Sequence, residues 1–276
     1  MTDHAAPATP VNSFDLNAYL ARIGLDGAPA PSVAALELLH AAHLAHIPFE
    51  NLDVRLGRPI RLDIESLQRK LVHSRRGGYC FEQNSLFARV LRELGFTVDA
   101  MEARVRPPEA TETLPRTHMV LRVEADGRPW LADVGFGGDG PLKPVPLEIE
   151  TVDECGAENR VVTESEDLHV LQVRVPGGWR DLYAFSLEPA LAVDLEVANH
   201  FTSTHPRSVF VRTLTAQLSK ADVRHILRGR QYTLKHRDGR ETQREMRAEA
   251  LPGLLQQTFG LDVPAADVLD AARTDD

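Results

Sequence analysis

Arg76-Gly77-Gly78-Tyr79-Cys80-Phe81-Glu82-Gln83-Asn84 ends a loop and begins a helix, and the rest of the chain is organised around it. Two adjacent glycines let the backbone turn sharply and let a second group approach closely. After Cys80, the apolar residues Phe87, Val90, Leu91 and Leu94 fall at i, i+3, i+4 and i+7, one helical face closed by Gly95. Cys80 is thereby expected at a helix N-terminus, where unpaired N–H groups and the helix dipole favour a thiolate. A buried structural cysteine is the ordinary alternative. The Gly-Gly entry and the polar neighbours Glu82, Gln83 and Asn84 favour a nucleophile.

Upstream, the pattern is helical. Ser13 is placed to cap a helix carrying Leu16, Tyr19, Leu20 and Ile23, ended by Gly24. Pro31-Ser32 opens a second helix, with Val33, Leu36, Leu39 and Leu44 inside, which stops before Pro48. Its His40, His43 and His46 drift around the helix with no flanking carboxylate or thiol, so they read as a packed, partly exposed face and not as a metal site. Asp63 caps a third helix with Ile64, Leu67 and Leu71, and the Cys80 helix is the fourth.

Downstream of Gly95 the period changes to two. Residues 98–104 and 118–124 alternate as strands, Asp126-Gly127 is a hairpin turn, and 130–134 returns as the partner strand. Residues 168–175 and 179–185 form a second hairpin about Pro176-Gly177-Gly178; the acidic stretch 148–167 reads as a polar strand pair or a loop. This section is expected to be an antiparallel barrel or sandwich. Farther on, 208–218 alternates, 219–222 is a turn, 232–236 leads into an Asp238-Gly239 hairpin, and helices are expected over 245–259 and 265–273.

A chain of 276 residues is long enough for a substantial core, and 43% hydrophobic with 26% charged residues is ordinary for a globular protein. The net charge of -9 argues against nucleic acid or an anionic membrane as partner. Residues 1–10 carry no basic or apolar segment of a secretory signal, and two cysteines make no disulfide framework, so the expected location is cytoplasmic.

A cysteine nucleophile needs a base, and the base needs a group that orients it. His118, 38 residues after Cys80, opens one strand, and Asp133 ends the strand paired with it across the Asp126-Gly127 turn. Neighbouring strands lie about 4.8 Å apart, close enough to set an aspartate against a histidine ring.

These stretches, with Thr117-His118-Met119-Val120-Leu121 and Asp133-Val134-Gly135-Phe136-Gly137, closely resemble the active-site motifs of arylamine N-acetyltransferases. Ile47-Pro48-Phe49-Glu50-Asn51-Leu52 and Ser203-Thr204-His205-Pro206-Arg207-Ser208-Val209-Phe210 are also similar to that family. The resemblance implies an α+β fold: a helical N-terminal domain (1–95), an antiparallel β-barrel (96–197) and a C-terminal α/β lid (198–276), with a cysteine-protease-like catalytic core. It implies Cys80, His118 and Asp133 as the triad of an enzyme that moves acetyl from acetyl-CoA to an arylamine or hydrazine by a ping-pong route through acetyl-cysteine. With the charge and the histidine pattern, no metal and no nucleic-acid or membrane partner are expected, and the chain is expected to be a monomer or homodimer.

Gly135-Phe136-Gly137-Gly138-Asp139-Gly140 spells a dinucleotide fingerprint, but the proline-rich 141–146 that follows denies it the required helix. A glycine-rich loop beside Asp133 still suits a pantetheine arm, and with the resemblance this makes Gly137, Gly138 and Thr117 the candidate cofactor contacts. Phe136 and Phe210 are candidates for the acceptor pocket, with core packing the alternative. The basic hairpin 224–240 reads as a solvated surface in preference to a CoA phosphate site. The rivals are an ansamycin-type amide synthase, a transglutaminase- or peptidase-like cysteine enzyme, and a binding protein with an unused triad. Papain-like enzymes separate Cys from His by roughly 130–150 residues.

Overall fold

The computed structural model of the chain describes residues 14–147 and 158–273. Ser13, Cys155 and residues 148–157 of the acidic stretch lie outside the described residues. Helix α1 (Leu16–Arg22) is capped by Asp15, whose Oδ1 accepts from the Ala18 N–H at 2.9 Å. Helix α2 (Val33–His46) is capped by Ser32 and ends at Ile47, ahead of Pro48. A two-residue strand β1 (Phe49–Glu50) and a single turn α3 (Leu52–Arg55) follow, neither apparent from periodicity because each spans only about one period and so shows no repeat. Asp63 caps α4 (Ile64–Leu67), which continues as a π-helical turn over Gln68–His73. The central helix α5 (Cys80–Glu93) begins at the cysteine.

The strands β2 (Thr97–Val105), β3 (His118–Ala125), β4 (Arg128–Ala132), β5 (Val145–Pro146), β6 (Asn159–Ser165), β7 (Leu168–Val175) and β8 (Gly178–Phe185) come next. Among the described residues they form one antiparallel sheet in the order β5-β4-β3-β2-β8-β7-β6. Its edge strands β5 and β6 contact each other, so the sheet curls into a nearly closed barrel. The two-residue period of β3 sorts its side chains: Met119, Leu121 and Val123 face the core shared with α2 and α5, while Val120 joins Met101, Ala103 and Leu131 inside the barrel. Strand β4 stops at Ala132, so Asp133 and Val134 lie just past the strand on which they were expected.

Helix α6 (Ala192–Thr204), which the mixed pattern of its sequence concealed, packs Leu195 and Ala198 on the helical core. The alternation at 208–218 resolves into a one-turn helix α7 (Val209–Arg212) and a strand β9 (Thr215–Ser219). Ser208 makes the difference, because its hydroxyl caps the turn by accepting from the Phe210 N–H at 3.3 Å. Strands β10 (Val223–Arg228), β11 (Gln231–His236) and β12 (Glu241–Glu245) complete a second sheet, ordered β1-β9-β10-β11-β12. Residues 241–245 therefore pair as a strand, and the expected helix starts only at α8 (Leu251–Phe259), with a proline in its first turn. Helix α9 (Ala265–Ala271) closes the third core against α8. The fold is α+β, with β1 carrying the segment before the nucleophile loop into the C-terminal sheet.

Candidate active site

Cys80 is the first residue of α5 and is 2% exposed. The Glu82 carboxylate reaches back to accept from the Tyr79 N–H at 3.1 Å, which satisfies one of the orphan donors of the helix start. Sγ lies 3.8 Å from the carbonyl of Thr117, the residue before His118 at the start of β3, and Cys80 interacts with the His118 ring strongly enough to help raise its pKa. On the other side, His118 Nε2 meets Asp133 Oδ2 at 2.7 Å, which leaves Nδ1 for the sulfur. Thiol, imidazole and carboxylate thus come together from a helix start, a strand start and the residue just past a strand.

Asp133 is held from every side. Oδ1 accepts from Asn84 Nδ2 at 3.0 Å and from the Gly135 N–H at 2.9 Å; Oδ2 accepts from the Tyr183 hydroxyl at 2.9 Å. Asn84 stands one turn after Cys80 and so shares its face of α5. Its Oδ1 also accepts from the Val134 N–H at 3.1 Å, and its Nδ2 reaches the Met119 carbonyl at 2.7 Å. Burial alone would raise the Asp133 pKa, but the charge and hydrogen bond of His118, with Asn84 and the Gly135 N–H, hold it below the ordinary value. Burial likewise works against a charged His118, and the Asp133 charge and hydrogen bond together with Cys80 overcome it, raising the imidazole to about 10. The pair is therefore built to hold an imidazolium beside the sulfur.

The nucleophile loop rests on a charged cluster. Arg76 Nη2 meets Glu50 Oε1 at 2.7 Å and Asp53 Oδ1 at 3.3 Å; Lys70 Nζ meets Asp53 Oδ2 and Glu82 Oε1, both at 2.7 Å. Glu50 is fully buried and accepts from the Leu52 N–H at 2.7 Å. Of the α2 histidines, His40 and His43 are fully buried and His46 is exposed. Burial outweighs the nearby Asp133 charge and lowers the His40 pKa to about 4. His40 Nε2 lies 3.1 Å from the Asp133 carbonyl, so α2 packs directly behind the triad carboxylate. Tyr183 did not stand out in the sequence, His40 was weighed only as a metal ligand, and Asn84, at i+4 from Cys80, was named only as a polar neighbour of the cysteine.

The other candidates divide. Phe136 sits against the His118 ring, centroids 5.2 Å apart, and against Tyr183 at 5.2 Å. Phe210 lies instead on Tyr79 and Phe49, at 5.6 and 5.8 Å, one residue removed from the nucleophile. Gly137 and Gly138 have φ of +69° and +48°, and a Cβ on Gly137 would fall 2.7 Å from Gln217 Oε1. The Gly138 N–H donates to that same Gln217 oxygen, and Arg224 Nη1 donates to the Gly138 and Gly140 carbonyls at 2.6 and 2.8 Å. Asp139 is paired with Arg180 at 2.6 Å and Lys235 at 2.9 Å. The hairpin read as a solvated surface thus clamps the glycine loop to the second sheet through Arg224 and Lys235.

Comparison with known proteins gives a consistent result. A family model described as N-acetyltransferase matches residues 32–268. The chain is 44% identical over 259 residues to an arylamine N-acetyltransferase of Mycolicibacterium smegmatis, covering 91% of this chain and 93% of that one. It is 39% identical over 260 residues to the arylamine N-acetyltransferase of Escherichia coli K12, covering 91% and 90%. Among solved structures, the M. smegmatis arylamine N-acetyl transferase superposes with a TM-score of 0.88 at 40% identity, over 94% of this chain and 98% of that one. The Mycobacterium marinum arylamine N-acetyltransferase in complex with CoA superposes with a TM-score of 0.86 at 39% identity, over 94% and 98%.

Proposed function

Because the chain belongs to the arylamine N-acetyltransferase family and is an acetyltransferase, we propose that it moves acetyl from acetyl-CoA to an arylamine or arylhydrazine through an acetyl-Cys80 intermediate. The observation that carries this is His118 held on Asp133 at 2.7 Å, with the Cys80 sulfur 3.8 Å from the carbonyl of the preceding residue, Thr117. In the first half-reaction Cys80 Sγ attacks the thioester carbonyl carbon. The bond from that carbon to the CoA sulfur breaks, and the departing CoA thiolate takes the His118 proton. In the second, the uncharged amine attacks the acetyl carbon, its proton passes to His118, and the bond to Cys80 Sγ breaks, restoring thiolate and imidazolium. Asp133 orients the ring and stabilises its charge. The Cys80 N–H, at a helix start, is the proposed donor to the oxyanion.

Gly137, Gly138 and Thr117 are proposed to contact the CoA arm, since the Thr117 carbonyl lies 3.8 Å from the sulfur and the two glycines follow Phe136, which packs on His118; the M. marinum relative was solved with CoA. Phe136, packed on His118, is proposed to line the acceptor pocket, with Phe210 farther out on Tyr79. The reading includes three domains, 1–95, 96–197 and 198–276. The barrel interior and the C-terminal core are separate buried clusters, while the helical core extends past the first boundary through Val98, Met119 and Leu121, and α6 runs across the second. It also includes a cytoplasmic location and a monomeric or homodimeric state.

Intact mass spectrometry after mixing with acetyl-CoA, without amine, tests the proposal. One acetyl increment located on Cys80, absent from Cys80→Ser and discharged by an arylamine, is expected. No increment, or one that an amine does not remove, would overturn it.

A further inference from the structure

Tyr19, His43 and Gln83 are each fully buried and joined in one hydrogen-bonded chain that ends on the nucleophile loop. Tyr19 Oη lies 2.8 Å from His43 Nδ1, and His43 Nε2 lies 2.5 Å from Gln83 Oε1. Gln83 Nε2 donates to the Pro48 carbonyl at 2.9 Å and to the Gly78 carbonyl at 3.2 Å. The polarity of the whole chain follows from its far end. Two carbonyl oxygens can be met only by the NH₂ side of the Gln83 amide, which turns its oxygen towards His43. That oxygen needs a donor, so the His43 proton sits on Nε2. Nδ1 is then an acceptor, and the Tyr19 hydroxyl must donate to it.

We propose that His43 and Gln83 are positioning residues for Cys80: His43, held as the neutral Nε2–H tautomer, orients the Gln83 amide, and the amide pins the Gly77-Gly78 turn to the strand at Pro48. The fit of that turn shows what is being held. The strand passes so near that a Cβ on Gly77 would lie 2.0 Å from the Pro48 carbonyl oxygen. The Glu50 N–H donates to the Gly78 carbonyl at 3.0 Å, and the Gly78 N–H to the Pro48 carbonyl at 3.4 Å. Gln83 closes this pairing from the side, and its own N–H donates to the Tyr79 carbonyl at 2.9 Å in the first turn of α5. The loop, the strand and the helix start thus share one side-chain amide, three residues after the sulfur. The next residue, Asn84, holds Asp133 from the same helix. Consecutive side chains of α5 therefore set the nucleophile loop on one side and the triad carboxylate on the other.

The surroundings keep the relay neutral. Burial, reinforced by the neighbouring His40 and Arg22 and only partly offset by the Gln83 hydrogen bond, lowers the His43 pKa to about 3. A charged His43 would bring a second N–H to the Tyr19 oxygen, whose own proton would then have no partner in the chain.

Two measurements test this; only the kinetic one rests on the transfer chemistry proposed above. First, nitrogen-15 NMR of the histidine side chains, with the His43 signal identified by its loss in His43→Gln, is expected to show a neutral Nε2–H ring unchanged from about pH 5 to 9. An Nδ1–H ring, or one that titrates in that window, overturns the relay whether or not the protein transfers acetyl. Second, the rate of Cys80 acetylation and the KM for acetyl-CoA are measured for two variants shown by circular dichroism to be folded. His43→Gln keeps an acceptor for Tyr19 and a donor for Gln83, and should acetylate within about threefold of the parent. His43→Leu has neither, and should be slower by about tenfold or more with little change in KM, because a misplaced nucleophile costs rate more than binding. Equal rates for the two variants overturn the proposal. Iodoacetamide alkylation of Cys80 gives the same comparison without acetyl-CoA, so failure of the transfer reading and failure of the relay remain distinguishable.

Discussion

His118 Nε2 and Asp133 Oδ2 lie 2.7 Å apart, with both side chains almost wholly shielded from solvent. Their pKa values move in opposite directions, so their contributions to stability have opposite signs in pH. The raised His118 value means a contribution that is complete below about pH 6.5 and is lost as pH rises towards about 10. The lowered Asp133 value means one that is complete above about pH 4 and is lost as pH falls. Urea midpoints measured at pH 7 and pH 10 should therefore fall further for the parent than for His118→Gln. An equal fall in both would mean that the imidazole is not held charged by this pair.

Tyr183 donates to the same carboxylate oxygen from a different strand of the barrel. Tyr183→Phe leaves the ring packing against Phe136 and His118 in place and removes only the donor. The predicted loss is about 1.5–3 kcal/mol of stability, as for a hydrogen bond to an ionised group. Slower acetylation of Cys80 should accompany it, with an unchanged KM for acetyl-CoA. Denaturant unfolding and single-turnover rates check the two parts.

Gly135 and Gly137 should separate in their effects. A Cβ on Gly135 would lie 2.7 Å from the Cys80 Cα and from Asn84 Nδ2, so Gly135→Ala pushes on the nucleophile itself. It is expected to cost about 1–3 kcal/mol of stability and to abolish most acetylation. Gly137→Val adds a Cβ whose three nearest atoms all belong to the Gln217 side chain, in a backbone region that penalises any side chain by about 1–2 kcal/mol. It is expected to raise the KM for acetyl-CoA while Cys80 still alkylates. An unchanged KM in a folded variant would remove the loop from the CoA site.

Glu50 is fully buried and depends on Arg76 for its counter-charge. Arg76→Ala strands that carboxylate, so a loss of about 3–5 kcal/mol is expected. Glu50→Gln in the same background should recover part of it by removing the orphaned charge. Thermal and urea unfolding of the single and double variants check this, and no recovery would mean that packing around Arg76 dominates.

If, as proposed, one sulfur holds acetyl between two substrates, the kinetic order is ping-pong. Initial rates against an arylamine at several fixed acetyl-CoA concentrations should give parallel double-reciprocal lines, with CoA released before any acetylated amine. Asp133→Asn should slow both half-reactions by disfavouring the productive imidazole tautomer, a change worth about 10⁴ in the serine-protease precedent. Intersecting lines at every ratio would point to direct transfer in a ternary complex.

Local chemistry was legible in the sequence wherever a repeat or a cap encodes it. The α5 apolar spacing, the Ser32 and Asp63 caps, the Asp126-Gly127 turn and the alternation of β3 all appear in the structure as read. The three stretches around Cys80, His118 and Asp133 were likewise visible as motifs. What the sequence could not supply was the set of contacts between segments distant in the chain. Tyr183 reaches Asp133 across 50 residues, Gln217 reaches Gly138 across 79, and Tyr19 meets His43 across 24. Such pairings leave no periodic trace, because a hydrogen bond constrains two atoms and not the residues between them. Short elements such as β1, α3 and α7 were hidden for a related reason: each spans about one period of its own structure, too little to repeat, and exists because its neighbours satisfy its backbone. The sequence by itself singled out Cys80, His118 and Asp133 as candidates for acyl chemistry; only the tertiary structure decided which buried partners hold their side chains in place, because those partners lie far apart in the chain.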